Sequence, residues 1–321
     1  MPDAYVFTAN GGPEVEALID WPRPVPGPCQ VLVLVRATGV NPADVKRRRG
    51  LVAEAKAGFP VLFGREAAGI VAELGEGAAG FVVGDAVFGQ PAAGSFAEYA
   101  VIHADQAALK PDALSFADAA TLPVAAATAY DGIEQLGLSP GSTLLVTGIG
   151  GGVGVAAAQL ARHRGLRVIG TASAGKKDLV TALGAVHVTY GPGVTDRIRA
   201  AAPDGVDAIF DLVGGEALAE IASLAGGRST LISAAAGHLV TELGGSPVKR
   251  ARSRAVLDAV ARLAVDGVLD PHVTAVYPLR EAGRALRAVE DGHTAGKIVL
   301  TVGPREVRPA DPVKLPTFQI V

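Results

Sequence analysis

Glycine recurs at positions 148, 150, 151, 152 and 154, directly after the apolar run Thr143–Thr147 and directly before Val155-Ala-Ala-Ala-Gln-Leu160. This order predicts a buried β-strand that stops on glycine and restarts as a helix. Glycine lets the backbone turn without a Cβ clash. It also lets main-chain N–H groups approach an anion where the helix dipole is positive. Pyrophosphate is the usual anion at such a turn, so Gly148, Gly151, Gly152, Val153 and Gly154 are read as dinucleotide-binding residues. A strict G-x-G-x-x-G is not met, because Val153 and Val155 stand where the third glycine would fall. The spacing present is G-x-x-G-x-x-G, at 148, 151 and 154. A glycine cluster alone also suits a purely structural turn. Here a small-residue helix and a second strand, Arg167–Ala172, follow it and supply the βαβ context that the chemistry needs.

The second strand points to the coenzyme. An NAD site typically carries an acid about 20 residues after the turn, placed to bind the ribose 2′-hydroxyl. In this chain the strand ends Gly170-Thr-Ala-Ser173 without an acid, and Lys176 and Lys177 follow. Nothing there repels a 2′-phosphate, and Ser173 can donate to it. Charge complementarity therefore favours NADP(H). The alternative is a pair of solvated lysines in a first helical turn, where they would oppose the dipole.

Metal chemistry has few ligands to draw on. Zinc takes thiolate, imidazole and carboxylate in a near-tetrahedral set. The chain has one cysteine, Cys29, in a proline-rich loop, and six histidines (His103, His163, His187, His238, His272 and His293), none of them paired at i, i+4. No metal site is expected.

The elements that must position these residues follow from length and pattern. At 321 residues the chain is long enough for about two domains. A net charge of −3 gives no general attraction to nucleic acid or anionic lipid. A lone cysteine and an N-terminus without a basic-then-apolar segment predict a cytoplasmic protein. Ser139–Ala161 is uncharged and long enough to span a bilayer, but its six glycines and one proline fit a buried strand–turn–helix unit better. The first third reads as β: strands at Gln30–Thr38, Gly69–Leu74, Ala86–Phe88 and Ser95–Ile102, between glycine and proline turns. Ser115 can cap a helix through Asp118, and a small-residue helix runs near Ala125–Leu136. From Thr143 to Ser233 strands and helices alternate, which predicts a doubly wound parallel sheet. A helix spans Arg252–Asp266. Asp270–Tyr277 then reads as extended, Arg280–Glu290 as helical and Lys297–Val302 as extended. Gly303–Val321 reads as a polar, proline-rich tail.

Several runs carry a family resemblance. They are Gly39-Val-Asn-Pro-Ala-Asp44, Gly64-Arg-Glu-Ala-Ala-Gly69, Val83-Gly-Asp-Ala-Val-Phe-Gly89, Gly94-Ser-Phe-Ala-Glu-Tyr99, Leu122-Pro-Val-Ala-Ala-Ala-Thr128-Ala-Tyr130, the glycine turn, and Gly296-Lys-Ile-Val-Leu300. Together they resemble the zinc-free quinone oxidoreductase branch of the medium-chain dehydrogenase/reductase superfamily, the branch of ζ-crystallin, over about residues 4–302. The resemblance implies an α/β fold. A GroES-like, partly open β-barrel catalytic domain (residues 1–122, with return and tail at 267–321) would carry an inserted Rossmann domain (123–266). It also implies a homodimer and an active site in the cleft. In zinc-dependent relatives a Gly-His-Glu run supplies ligands; here it reads Gly64-Arg65-Glu66, and Asn41 lies near the position often taken by cysteine.

The same resemblance places Asn41 at the nicotinamide and substrate end, as a catalytic and cofactor contact. By turn chemistry alone Asn41 is equally a turn former before Pro42. Asp44 is read as a proton relay or as a cap for the segment after Pro42. Thr128 lies against the cofactor, and Ser173, Lys177 and Tyr190 match contacts to a 2′-phosphate. Lys46 takes a substrate-side position that is often aromatic in this branch. Arg47-Arg48-Arg49 reads as a solvated loop edge. Without a Lewis acid the acceptor must already be electrophilic. The expected reaction is hydride transfer from NADPH to a quinone or other activated carbonyl. The alternatives are an NADPH-dependent enone or enoyl reductase and a low-turnover NADPH-binding regulator. The partner is a small molecule, with no nucleic acid or membrane. No Tyr-x-x-x-Lys pair lies beside the turn to name a general acid.

Overall fold

A computed structural model describes residues 1–52, 58–226, 230–292 and 294–303. The chain opens with β1 (Asp3–Phe7), β2 (Glu16–Asp20), the long strand β3 (Gln30–Val40) and helix α1 (Pro42–Arg48). Strands β4 (Val61–Leu62), β5 (Ala67–Leu74), β6 (Ala86–Pro91) and β7 (Tyr99–Leu109) follow. β2, β1 and β4 form a small antiparallel sheet in that order. β3, β5, β6 and β7 close on themselves, because β3 pairs with both β5 and β7. The run Val31-Leu-Val-Leu-Val35 is apolar throughout, as suits a strand covered on both faces.

The expected strand at Ser95–Ile102 starts later and runs further, from Tyr99 to Leu109. The reason lies at its start. The Ser95 hydroxyl is buried and donates to the Glu66 carbonyl at 2.8 Å, and Phe96 stacks on Phe63 at 5.8 Å. The backbone here pairs with β1: the Tyr5 amide donates to the Phe96 carbonyl at 2.7 Å, the Glu98 amide donates to the Asp3 carbonyl at 3.1 Å, and Ala97 lies opposite Ala4.

The crossover begins with α2 (Phe116–Ala119), capped by Ser115 Oγ, which accepts from the Asp118 amide at 3.0 Å. A π-helical turn at Leu122–Ala126 leads into α3 (Ala127–Leu136). Then β8 (Thr143–Thr147), α4 (Gly152–His163), β9 (Arg167–Ala172), α5 (Lys177–Ala182), β10 (Val186–Thr189) and α6 (Val194–Ala201) alternate. They continue with β11 (Ala208–Asp211), α7 (Gly215–Ile221), β12 (Thr230–Ser233), α8 (Gly237–Glu242), β13 (Ser246–Pro247) and α9 (Arg254–Val265). All pairings in this sheet are parallel, in the order β10-β9-β8-β11-β12-β13. The segment Ser139–Ala161 divides into β8 and α4, and among the described residues no helix is long and apolar enough to cross a membrane. Ala157, Ala158 and Ala161 of α4 are fully buried in one cluster with Leu144, Val146 and Phe210. Small side chains there let helix and sheet approach closely. Each buried Leu, Val or Phe contributes about 1.5–3 kcal/mol.

The chain ends with β14 (Val273–Pro278), α10 (Ala282–Glu290) and β15 (Lys297–Thr301). β15 pairs antiparallel with Ala37–Val40, the half of β3 that β7 leaves free, and β14 pairs with β15. The last strands thus join the sheet of the first ones. The expected tail lies outside the described residues from residue 304 onward.

Candidate active site

β8 emerges at the crevice of the parallel sheet where strand order reverses, with β9 on one side and β11 on the other. This is the usual binding position in a doubly wound fold. Gly148 turns the chain there with φ 62°. A Cβ on Gly154 would lie 2.5 Å from Ile149 Cα, so only glycine lets α4 start so close to the strand. Gly151 precedes the helix in extended conformation, and the half-exposed Gly152 and Val153 begin it. Their amides have no preceding-turn carbonyl to bond. A cradle that a Cβ would fill, ending in unpaired amides, fits a dinucleotide pyrophosphate.

At the next strand ends the structure brings two expected residues together. The Tyr190 amide donates to the Ala172 carbonyl at 3.3 Å, which sets Tyr190 beside Ser173. Tyr190 is exposed, Ser173 half-buried, and Lys177 exposed at the start of α5. His187 Nε2 donates to the Ser173 carbonyl at 3.1 Å. Lys176 differs from its neighbour: its ammonium donates to the Thr294 carbonyl at 2.6 Å, and burial lowers its pKa. Thr128 is buried in the first turn of α3.

The opposite wall is a buried polar cluster. Asn41 caps α1 and is 4% exposed. Its amide nitrogen Nδ2 donates to Glu66 Oε1 at 2.9 Å, and its oxygen Oδ1 accepts from Lys297 Nζ at 2.8 Å. Asp44 is fully buried, and its carboxylate accepts from the backbone amides of Asn41 (2.9 Å) and Gly64 (3.1 Å). Burial raises its pKa from an ordinary 3.8 to about 6 against the opposing pull of these bonds. The structure therefore places Asp44 as a cap that fixes Asn41. Lys46 is exposed on α1.

One expectation is corrected here. Arg47 and Arg48 do not form a solvated edge: they are 5% and 0% exposed. Arg48 donates to both oxygens of Glu290 (2.8 and 2.9 Å) and pairs with Glu16, while Arg47 lies over the Phe7 ring at 6.0 Å. α1 turns these two side chains into the domain, and two acids distant in sequence await Arg48. Only Arg49, half-exposed and paired with Glu290, has the surface character expected.

Sequence reasoning missed three residues. Glu66 and Lys297 were seen only as parts of longer runs, and no local pattern announces their pairing across 231 positions. Asp211, fully buried at the end of β11, accepts from Thr147 Oγ1 (2.8 Å), Ser233 Oγ (2.6 Å) and the Gly214 amide (3.1 Å). It ties β8, β11 and β12 together at the mouth of the crevice.

Zinc does not fit this cleft. Glu66 is bound by Lys297 and by the Val124 amide, and the residue before it is an arginine. Among the described residues no three His, Cys, Asp or Glu side chains converge as a metal set.

Comparison with known proteins agrees with this architecture. Residues 27–112 match the alcohol dehydrogenase GroES-like domain, and residues 183–300 match the family described as zinc-binding dehydrogenase. The chain is 32% identical over 294 residues to the 2-methylene-furan-3-one reductase of Solanum lycopersicum, covering 84% of this chain and 71% of that protein. The structure of the quinone oxidoreductase from Coxiella burnetii superposes with a TM-score of 0.88 at 30% identity, covering 94% of this chain and 99% of that one. The Escherichia coli quinone oxidoreductase complexed with NADPH superposes with a TM-score of 0.84 at 26% identity, covering 93% and 99%. The glycine cradle, the closed barrel, the metal-poor cleft and these likenesses together show that the chain belongs to the zinc-free, quinone oxidoreductase-like branch of the medium-chain dehydrogenase/reductase superfamily, oxidoreductases that bind a nicotinamide cofactor.

Proposed function

We propose that this protein is an NADPH-dependent reductase that delivers hydride to a quinone or other activated carbonyl without a metal. The observation that carries the reading is a glycine cradle beside a buried carboxylate, Glu66, that is already bound by Lys297. The cradle fits a dinucleotide, and among the described residues no donor set for a Lewis acid converges beside it, so the acceptor must delocalise the incoming charge itself. NADPH, when bound, supplies the hydride.

The chain's own residues have four tasks. Gly148, Gly151, Gly152, Val153 and Gly154 hold the pyrophosphate with backbone amides. Ser173, Lys177 and Tyr190 hold a 2′-phosphate, which the acid-free end of β9 does not repel. Thr128 and Asn41 line the nicotinamide end, with Asp44 holding Asn41 in place. Lys46 stands on the acceptor side. Alignment of donor and acceptor and exclusion of water then provide the rate enhancement.

Reduction of an activated alkene is a second reading, favoured by the likeness to a 2-methylene-furan-3-one reductase. A cytoplasmic homodimer completes the proposal. Oxidation of NADPH by purified protein, followed against panels of quinones, enones and enoyl thioesters with NADH in parallel, tests it. Turnover with NADPH well above that with NADH, unaffected by a chelator, is expected. Tight NADPH binding with no oxidation by any acceptor would make the protein a coenzyme-binding regulator instead. Loss of turnover on chelation, restored by zinc, would overturn the metal-free mechanism.

A further inference from the structure

Lys297 is 4% exposed, yet all three of its ammonium hydrogens have acceptors: Glu66 Oε1 at 2.7 Å, Asn41 Oδ1 at 2.8 Å and the Val40 carbonyl at 3.3 Å. Glu66 is fully buried and accepts in turn from Asn41 Nδ2 at 2.9 Å and, through Oε2, from the Val124 amide at 2.8 Å. The amide of Asn41 is therefore bracketed by a cation at its oxygen and an anion at its nitrogen. An ammonium only donates and a carboxylate only accepts. Turning the amide over would set N–H against N–H and oxygen against oxygen in a buried site, where each unmade bond is costly. One orientation survives. The second Nδ2 hydrogen faces the Gly39 carbonyl at 3.4 Å, so any further contact of the amide falls on Oδ1, which also faces the Asp44 backbone amide in the capping box of α1.

The same lysine reaches the other half of the molecule. A Cβ on Gly152 would lie 2.6 Å from Lys297 Cδ, so the lysine stem rests on the first residue of α4. The Gly296 amide donates to the Gly150 carbonyl at 3.2 Å. Glu66, through Val124, holds the π-helical turn that leads into α3. The pair thus joins the glycine cradle, the crossover and the cap of α1 at one amide.

We infer that Lys297 and Glu66 are positioning residues for hydride transfer, which lock Asn41 as a hydrogen-bond acceptor only. The inference rests on the reading that Asn41 stands at the nicotinamide end. Locked in this way, Asn41 recognises a hydroxyl, such as one of the coenzyme ribose, and does not polarise the carbonyl oxygen of the acceptor.

Glu66→Gln is the first test. It keeps the shape and an acceptor for Val124 but removes the charge that holds Nδ2. With the best acceptor, kcat/KM should fall about ten- to a hundredfold, the range in which small misplacements act. Tm should fall, because one partner of a buried pair is removed, so the rate is taken per folded molecule, and NADPH should bind more weakly as the ribose contact loosens. The isotope effect from NADPH deuterated at the transferred hydrogen should rise. The double variant Lys297→Met with Glu66→Gln removes both charges and should fold, since replacing a buried ion pair on both sides is often tolerated, while staying as slow as the single variant. Wild-type kcat/KM and isotope effect in both variants, or a loss of rate that only follows the loss of folded protein, would overturn the inference. A second measurement stands apart from turnover. In asparagine-labelled protein, NMR should show the Asn41 side-chain amide protected from exchange in wild type and released in Glu66→Gln; free exchange in wild type would overturn the lock. A protected amide in a protein that reduces no acceptor supports the lock and overturns the reductase reading, so the two failures are distinguishable.

Discussion

Arg48 and Lys297 are both buried cations of the barrel half, and they differ in what they hold. Arg48 is enclosed by two acids from opposite ends of the chain, Glu16 of β2 and Glu290 of α10, and also donates through Nε to the Gly11 carbonyl at 3.2 Å. It clasps the first and last parts of the barrel half. Lys297 is enclosed by one acid and one neutral amide, and its stem lies on the glycine cradle. Burial of charge is common to both. What separates them is the second partner: a second carboxylate completes a clasp, whereas a neutral amide is held in one orientation.

That contrast can be broken at several points. The largest effect is expected at the clasp. Arg48→Met leaves two carboxylates facing each other in a buried site, and breaking such a pair costs about 3–5 kcal/mol. Urea denaturation should show that loss, while kcat per folded molecule stays at the wild-type value. A fall in kcat without a fall in stability would move Arg48 from the clasp to the site.

Asp44 sharpens the other side. Its folded-state pKa of about 6 lies above the ordinary 3.8, so folding favours the protonated acid. The stability it contributes is complete below the unfolded value and is lost as pH rises through the folded one. The shift corresponds to about 3 kcal/mol over roughly pH 4 to 6. Stability measured across that window should fall with pH in wild type and lose this component in Asp44→Asn. Identical slopes in the two proteins would remove Asp44 as the source.

Gly154→Ala places a Cβ against Ile149 Cα, and overpacking of this kind costs about 1–3 kcal/mol. Because the shift needed lies in the cradle, NADPH affinity measured by fluorescence should fall with it. A variant with wild-type affinity would show that the cradle is not where the coenzyme binds. The smallest change is Lys177→Glu at the exposed end of the site. It should weaken NADPH about tenfold, or about 1.4 kcal/mol, while leaving NADH unchanged. Equal effects on both coenzymes would remove Lys177 from the 2′-phosphate contacts.

The two ends of the cleft were not equally legible. The cradle is local: β8, the turn and α4 lie within about two dozen consecutive residues, and glycine spacing reports backbone requirements directly. The alternation after Thr143 likewise yields a parallel sheet, because each strand and helix carries its own period. Where register depends on distant partners, local pattern fails. Ser95–Glu98 has strand-like composition, but its backbone bonds to β1 instead of extending β7. The basic run Arg47–Arg49 looks like surface until Glu16 and Glu290 arrive from either side.

The amino-acid sequence by itself determined the nucleotide end: a strand, a glycine turn, a small-residue helix and a second strand without a terminal acid. These are properties of neighbouring residues, and backbone sterics and short-range charge suffice to read them. Only the tertiary structure decided the buried polar cluster on the opposite wall. Asn41, Glu66 and Lys297 come from three separate regions, and a buried hydrogen-bond network exists only once the barrel has closed and the last strand has paired with β3.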